Sequence, residues 1–528
     1  MTRRWGRYSF DKDKKENEKS VPFGDRPFVS ADINKNLKRI KQDIGNSPDM
    51  TVREFQINEL RVIAVYSDSL VDIDVVNNFI KQALTMEKGQ SNDENNVFDI
   101  IKKNALASQE VKVIREWDEI LLSILTGDTV LLIDGFAYAI TGSTKGGEQR
   151  SIAEPTTQTV VRGPKDCFTE SISTNISLVR RRVSSPNLWL ETMRIGEETQ
   201  TTVGIIYMKG IVTDGLIQEV KERLNRIKID MILDSGQIEE FIEDQPSSPF
   251  PTIYNTERPD SVAANLMEGR VAILVNGSPF VLVVPTIFVQ LFQSPDDYYY
   301  RFHIAIFLRL LRYIGFFISL VGPSVYIAAI TFHQEMIPTT LLISIAASRE
   351  GVPFPAFVEA LIMEVAFELM REAGIRMPRA VGQAVSIVGA LVLGQAAVQA
   401  GIVSSIMVII VAITGIASFT TPAYNLAISA RLIRFVLMIL AATFGFYGIT
   451  LGLIIIIAHL NSLRSFGIPY LAPLSPLIPS DQKDAMIRFP LWSMFKRPRL
   501  INQNNTIREN GNLQPSPKQN GGESKREE

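Results

Sequence analysis

Glu364, Glu368 and Glu372 recur at i, i+4 and i+8, with Glu359 further up the same stretch. Helical spacing puts the first three on one face. The segment from Pro355 to Arg371, PAFVEALIMEVAFELMR, is otherwise strongly apolar. Carboxylates fixed at that spacing attract cations, and on an apolar helix they require water or a counter-charge, because exposure to lipid is costly. Two readings fit the pattern alone. The helix lines a water-filled path for cations, or it lies at a membrane interface with its acids in water.

Other chemistry lacks material. There are three histidines (His303, His333, His459) and one cysteine, Cys167, too few for a metal centre, a catalytic dyad or a disulfide framework. No Walker A, GxGxxG after a strand, HExxH or GxSxG pattern occurs, and the glycine-rich run 142–147 lacks P-loop spacing. The expectation is a non-enzyme without cofactor or metal. A net charge of −2 gives no steer toward nucleic acid.

The elements that must position the acids are apolar. Tyr313 to Phe332, Ala380 to Ala430 and Phe435 to Ala458 carry no Asp, Glu, Lys or Arg. The middle run is roughly twice one bilayer crossing. The expected fold class is therefore an α/β N-terminal region of two similar subdomains followed by an all-α transmembrane domain. That domain has about four spans (313–332, 380–400, 402–420, 435–458) plus an acidic amphipathic or re-entrant helix at 355–372. The basic N-terminus has no apolar core, so it does not read as a secretory signal. Four spans would place both ends in the cytosol, in keeping with Arg301, Arg309 and Arg312 before the first span and Lys483, Arg488, Lys496, Arg497 and Arg499 after the last. Gly448 and Gly452 in the last span permit close helix approach.

Upstream, residues 1–50 are polar and read as a disordered arm. Strands are expected at Leu60–Tyr66 and Val203–Met208, helices at Val71–Thr85 and Asp214–Ile227, and hairpins turning at Asp134-Gly135 and Asn276-Gly277. A shift of 142 positions superposes the two series, which points to duplication, with subdomains at 51–160 and 187–300. Between them, 161–186 reads as a linking helix ending in Arg180, Arg181 and Arg182. Three adjacent arginines cannot share one face, so they pair with protein acids or anionic headgroups. The membrane part runs 301–474, and 475–528 is a polar, partly disordered tail.

Several segments resemble one family: TERPDSVAANLMEGRVAILVNGSPFVLVVP (256–285), QSPDDYYYRF (293–302), RGPKDCFTESISTNISLVRRRV (162–183), the stretch 337–378 around the acidic helix, and SIVGALVLGQAAVQAGIVSSIMVIIVA (386–412). They are similar to the A subunit of GerA-type spore germinant receptors, and the likeness covers about residues 50 to 480. The resemblance implies a spore inner-membrane protein with its N-terminal region on the core side. It also implies a transporter-like B subunit that binds nutrient, a C lipoprotein, and self-association, as a pentamer, into a nutrient-gated channel for monovalent cations. On that picture Glu359, Glu364 and Glu368 line the pore, and Leu361, Ile362 and Val365 supply an apolar constriction that closes by dewetting. Rival readings are a paralogous subunit associated with the dipicolinate channel, a secondary transporter of a small solute, and a non-conducting scaffold.

Overall fold

A computed structural model describes residues 28–57, 60–84, 111–146, 154–378, 392–501, 505–509 and 515. In the first subdomain, strands β1 (Met50–Ile57), β2 (Leu60–Ser67), β3 (Val111–Ile114), β4 (Asp128–Ile133) and β5 (Ala139–Ser143) pair antiparallel in the order β1-β2-β4-β5-β3. Side chains alternate across a strand. Val62, Ala64 and Tyr66 of β2 therefore pack against Val76 and Phe79 of the helix α2 (Ile73–Leu84). Ile63 and Val65 pack on the other face against α1 (Ile33–Ile44) and α3 (Trp117–Leu125). Helices on both faces explain why β2 reads as a continuous apolar run.

Helix α1 corrects the expectation of a disordered arm through residue 50; residues 1–27 lie outside the described residues. Ile33, Ile40 and Ile44 are buried against Trp117, Ile120 and Ile124, with Leu37 partly buried beside them. These positions form one helical stripe, hidden by lysines and asparagines on the opposite face. Asp32 caps the helix by accepting from the Asn34 and Lys35 amides (2.9 and 3.3 Å), and Gly45 ends it at φ 73°.

The second subdomain repeats the plan. Its strands β6 (Leu188–Ile195), β7 (Thr201–Met208), β8 (Tyr254–Thr256), β9 (Val271–Val275) and β10 (Val281–Val284) are ordered β6-β7-β9-β10-β8. Helices α4 (Ile172–Arg182), α5 (Asp214–Asn225), α6 (Ser235–Ile242) and α7 (Pro259–Met267) accompany them. The segment expected as a linking helix, 161–186, is helical only over α4, which stands where α1 stands in the first copy.

A shared latch makes the equivalence concrete. The Asn36 side chain accepts from the Ser30 amide (3.0 Å) and donates to the Ser30 carbonyl (2.6 Å). Asn175 does the same to Thr169 (2.7 and 2.6 Å). The next contact also repeats, as the Ile33 amide donates to Asp134 Oδ1 and the Ile172 amide to Asn276 Oδ1, both at 3.3 Å. Each copy thereby docks the start of its first helix on the hairpin turn legible in the sequence, where Gly135 and Gly277 adopt φ 85° and 94°.

The remaining helices are apolar: α8 (Phe302–Thr331), α9 (Thr339–Arg349), α10 (Ala356–Arg376), a helical stretch at 392–399, α11 (Ser405–Ser418) and α12 (Tyr424–Ser462). α8 and α12 are long and apolar enough to cross a membrane. Phe307, Ile314, Phe317, Val436, Ile439 and Ile454 face outward, an exterior suited to lipid rather than water. Of the expected span 380–400, residues 380–391 lie outside the described residues.

The last expected span, 435–458, is corrected. α12 breaks at Gly445 (φ 59°, ψ −142°), and its two limbs fold back on each other. A Cβ on Gly452 would lie 2.6 Å from Leu437 Cδ2, and one on Gly448 would collide with the Leu440 carbonyl. Ser429 donates to the Pro249 carbonyl while His459 bonds Ser248 (2.9 Å), so both outer ends meet one loop. In a straight helix those two residues would stand about 45 Å apart. The limb 424–444 alone is about 31 Å long. Gly448 and Gly452 therefore serve an intrachain contact.

Two outcomes are expected. Gly445 holds a backbone region essentially restricted to glycine, and a Cβ there would meet His333 Cε1 at 2.7 Å. Gly445→Leu should lower the melting temperature of the detergent-solubilised protein and its yield; an unchanged melting curve would mean that the hairpin does not form. In α6, burial raises the Glu239 carboxyl to about 7, the Asn255 amide opposing and Glu243 and Asp234 reinforcing. With the folded value above the unfolded one, this stability is complete below about pH 4.5 and lost as pH rises through about 7. Hydrogen exchange around α6 should report a loss of roughly 2 kcal/mol over that window, and Glu239→Gln should flatten it.

Candidate functional site

Apolar spacing orients α10, and its acids turn inward. Glu359, with 0% of its surface exposed, accepts from the amide and hydroxyl of Ser404 (3.0 and 2.9 Å) and pairs with Arg349 at 2.9 Å. Ser404 also caps α11, its hydroxyl accepting from the Met407 amide. One acid thus ties α9, α10 and the start of α11 together.

Glu364 sits deeper. Its carboxylate and the Arg434 guanidinium, each 1% exposed, meet at 2.6 Å, and Arg434 Nε donates to the Ser319 carbonyl at 2.5 Å. Ser319 lies mid-way along α8 and Arg434 mid-way along the first limb of α12. This single pair therefore fixes α10 to both long helices. Glu364 Oε1 and Arg434 Nη2 find no further hydrogen-bond partner among the described residues. Three more ion pairs follow the helix outward. Glu368 pairs with Arg371 and, at 3.6 Å, with Arg431, while Glu372 pairs with Arg376 at 2.6 Å where both are exposed.

The outward face of α10 is different. Ile362 and Val365 are 38% and 44% exposed and Leu369 is 67% exposed, while Leu361 is half-buried. Ile362, Val365, Leu369, Glu372 and Arg376 follow i, i+3, i+7, i+10, i+14, one exposed stripe whose apolar members stand about 100–160° round the helix from Glu364. Within the chain, Glu359 and Glu364 thus turn their carboxylates to protein partners rather than to open space. An unpaired carboxylate in an apolar bundle costs more than a paired one, so α10 rotates its acids onto arginines. Glu368 is half-buried between two guanidinium groups.

Sequence reasoning missed those arginines. Arg431 and Arg434 fall between the two uncharged runs 380–430 and 435–458, yet their i, i+3 spacing matches the counter-charges that an inward acid stripe demands. The three consecutive arginines of α4 are structural in the same manner. Arg180, 1% exposed, forms a buried two-pronged pair with Asp49 and donates to Ser47 Oγ at 3.0 Å. Arg181 donates to the Gly146 carbonyl at 3.0 Å, and Arg182 is half-buried.

Duplicated α/β subdomains joined to a bundle of apolar helices, pinned internally by Glu–Arg pairs, define a class of membrane protein. The chain belongs to the GerA spore germination family, since the family model described as Bacillus/Clostridium GerA spore germination protein matches residues 38–500. It is 50% identical over 505 residues to spore germination protein KA of Bacillus subtilis (strain 168), covering 95% of this chain and 92% of that one. Identity to the membrane protein YfkQ of the same strain is 44% over 482 residues, covering 91% and 93%. A crystal structure of the N-terminal domain of the A subunit of the Bacillus megaterium spore germinant receptor GerK3 is 39% identical and covers 49% of this chain and 97% of that chain, with a TM-score of 0.41.

Breaking the central pair from one side should strand a charge. Glu364→Gln or Arg434→Met alone is expected to cost about 3–5 kcal/mol, and Glu364→Leu with Arg434→Met should recover most of it. A double-mutant cycle on thermal unfolding in detergent measures the coupling; additive effects would mean that the two groups do not interact.

Proposed function

We propose that this protein is a membrane subunit of a spore germinant receptor, and that several copies, five by the family resemblance, surround a cation path lined by the outward face of α10. The observation that carries this reading is the division of that helix into two faces. Its charges are consumed within the chain, while Ile362, Val365 and Leu369 are left uncovered beside Glu372 and Arg376. Copies meeting on that face would enclose a narrow apolar throat with a charged mouth. Such a throat closes by dewetting and opens with a small widening or rotation.

In this reading the protein sits in the spore inner membrane with a transporter-like B subunit and a C lipoprotein. Nutrient binding on the B subunit biases the closed and open forms of the A oligomer. Four crossings are proposed: α8, α11 and the two limbs of α12. The shared contact of Ser429 and His459 with the 248–250 loop supports the placement of both outer ends of the hairpin on the side of the α/β region. The buried pairs then act as the hinge pins about which α10 turns.

Widening the throat without touching a pair is the test. Val365→Ala, in vesicles carrying the assembled receptor, should raise basal monovalent cation leak severalfold at unchanged protein abundance. An unchanged leak for both Val365→Ala and Ile362→Ala would remove this face from the permeation path.

A further inference from the structure

Between the short turn that follows β10 and the chain that follows α12 lies a cavity of about 220 Å³. Its walls are mostly apolar, with Val289, Ile468, Ile478, Met494, Phe495 and Leu500 among them. We propose that this cavity binds a single-chain anionic amphiphile, a carboxylate with an unbranched alkyl tail of medium length.

Volume and place set the tail. An apolar cavity of about 150 Å³ takes up benzene, so by proportion this one takes roughly nine non-hydrogen atoms, the size of a carboxylate of about eight carbons. The cavity also stands beside the helices long and apolar enough to cross a membrane. Phe288 and Phe292, on the same turn as Val289, pack on Phe316 and Tyr313 of α8 with ring centroids 6.1 and 4.4 Å apart. Ile468 follows closely on the end of α12. Amphiphiles collect in the interfacial layer such helices leave.

Charge sets the head. The walls carry four cations (Arg270, Lys483, Lys496, Arg508) against three carboxylates (Glu268, Asp481, Asp484). Glu268 is held by Arg270 (3.5 Å) and Arg508 (3.8 Å), and Asp484 by Arg309 (2.9 Å) from outside the wall. Exposed Lys483 and Lys496 are left facing Asp481 alone, a residual positive charge that favours an anion. Lys483 donates to the Ser493 carbonyl at 3.1 Å, and the buried hydroxyl of that same serine has no hydrogen-bond partner among the described residues. Buried polar atoms are normally satisfied. An orphaned hydroxyl beside an ammonium group is a ready seat for a carboxylate.

Occupancy bears on α8. Arg309 donates to the carbonyls of Asp484 (2.9 Å) and Ala485 (3.2 Å), both wall residues, and holds Asp297 at 3.0 Å with both side chains fully buried. A tail lying against Ala485 therefore presses on the clamp at the root of that helix. The site stands on its own geometry and needs no conduction by α10.

The test uses the full chain in phosphatidylcholine nanodiscs and fluorine NMR of octanoate trifluorinated at its terminal methyl, with empty discs as the baseline. A protein-dependent bound signal is expected, and octanoate should displace it at least tenfold more effectively than 1-octanol or octylamine. Lys483→Gln with Lys496→Gln, both exposed, should leave the melting temperature unchanged while weakening the probe at least fivefold. Ile478→Trp, which fills the chamber from a half-buried position, should weaken it as much with the lysines in place. No protein-dependent signal at about 1 mM, the weak end of specific binding, would overturn the proposal. So would displacement by octylamine as readily as by octanoate, or a signal that neither variant alters. Loss of the signal on adding phosphatidylglycerol to the discs would assign the cavity to a two-chain lipid and overturn it as well.

Discussion

A carboxylate cannot remain ionised inside an apolar bundle without a counter-charge, and the Glu364–Arg434 pair is how this chain meets that requirement. Its position, touching α8 through Ser319 and crossing from α10 to the first limb of α12, makes it the point where three helices are mutually registered. The rotation of α10 follows from it. So does the exposure of Ile362, Val365 and Leu369, since a helix that turns one face to arginines turns the other away.

Buried ion pairs seldom add net stability over a packed apolar contact, but they discriminate strongly against misaligned arrangements. Here the counter-charges come from outside α10, Arg349 from α9 and Arg434 and Arg431 from the first limb of α12, and Glu368 lies between Arg431 and its own helix's Arg371. The Gly445 hairpin supplies the rigid surroundings, because Gly448 and Gly452 let its limbs approach more closely than any side chain would allow.

Much of the α/β region was legible because its signals are local. Asp134-Gly135 and Asn276-Gly277 are turn dipeptides with left-handed glycines, and the strands before them are apolar runs of the expected length. Helix α1 escaped because four apolar positions in a lysine- and asparagine-rich stretch look disordered by composition; only the spacing of Ile33, Leu37, Ile40 and Ile44 reveals the buried stripe. In the membrane part, composition located apolar helix, and spacing put Glu364, Glu368 and Glu372 on one face, which runs from the buried Glu364 to the exposed Glu372. Neither could say which way that face points, because the answer depends on Arg434 and Ser319, 70 and 45 residues away. The Gly445 break was invisible for a related reason. Glycine is common in apolar helices, and only the packing of the limbs distinguishes a turn from a kink.

The direction in which α10 faces decides whether its exposed stripe can line a path, and cysteine accessibility in the assembled receptor measures that direction. The native background is quiet, since burial, with Glu257 adding, pushes the Cys167 thiol up to about 12. Single cysteines at Ile362, Val365 and Leu369 are expected to react with a small water-soluble thiol reagent faster when the receptor is open, while cysteines at Ala360 and Glu364 stay protected. Reaction at Ala360 and Glu364 with protection at Ile362, Val365 and Leu369 would contradict the inward orientation of the acids and the conduit built upon it.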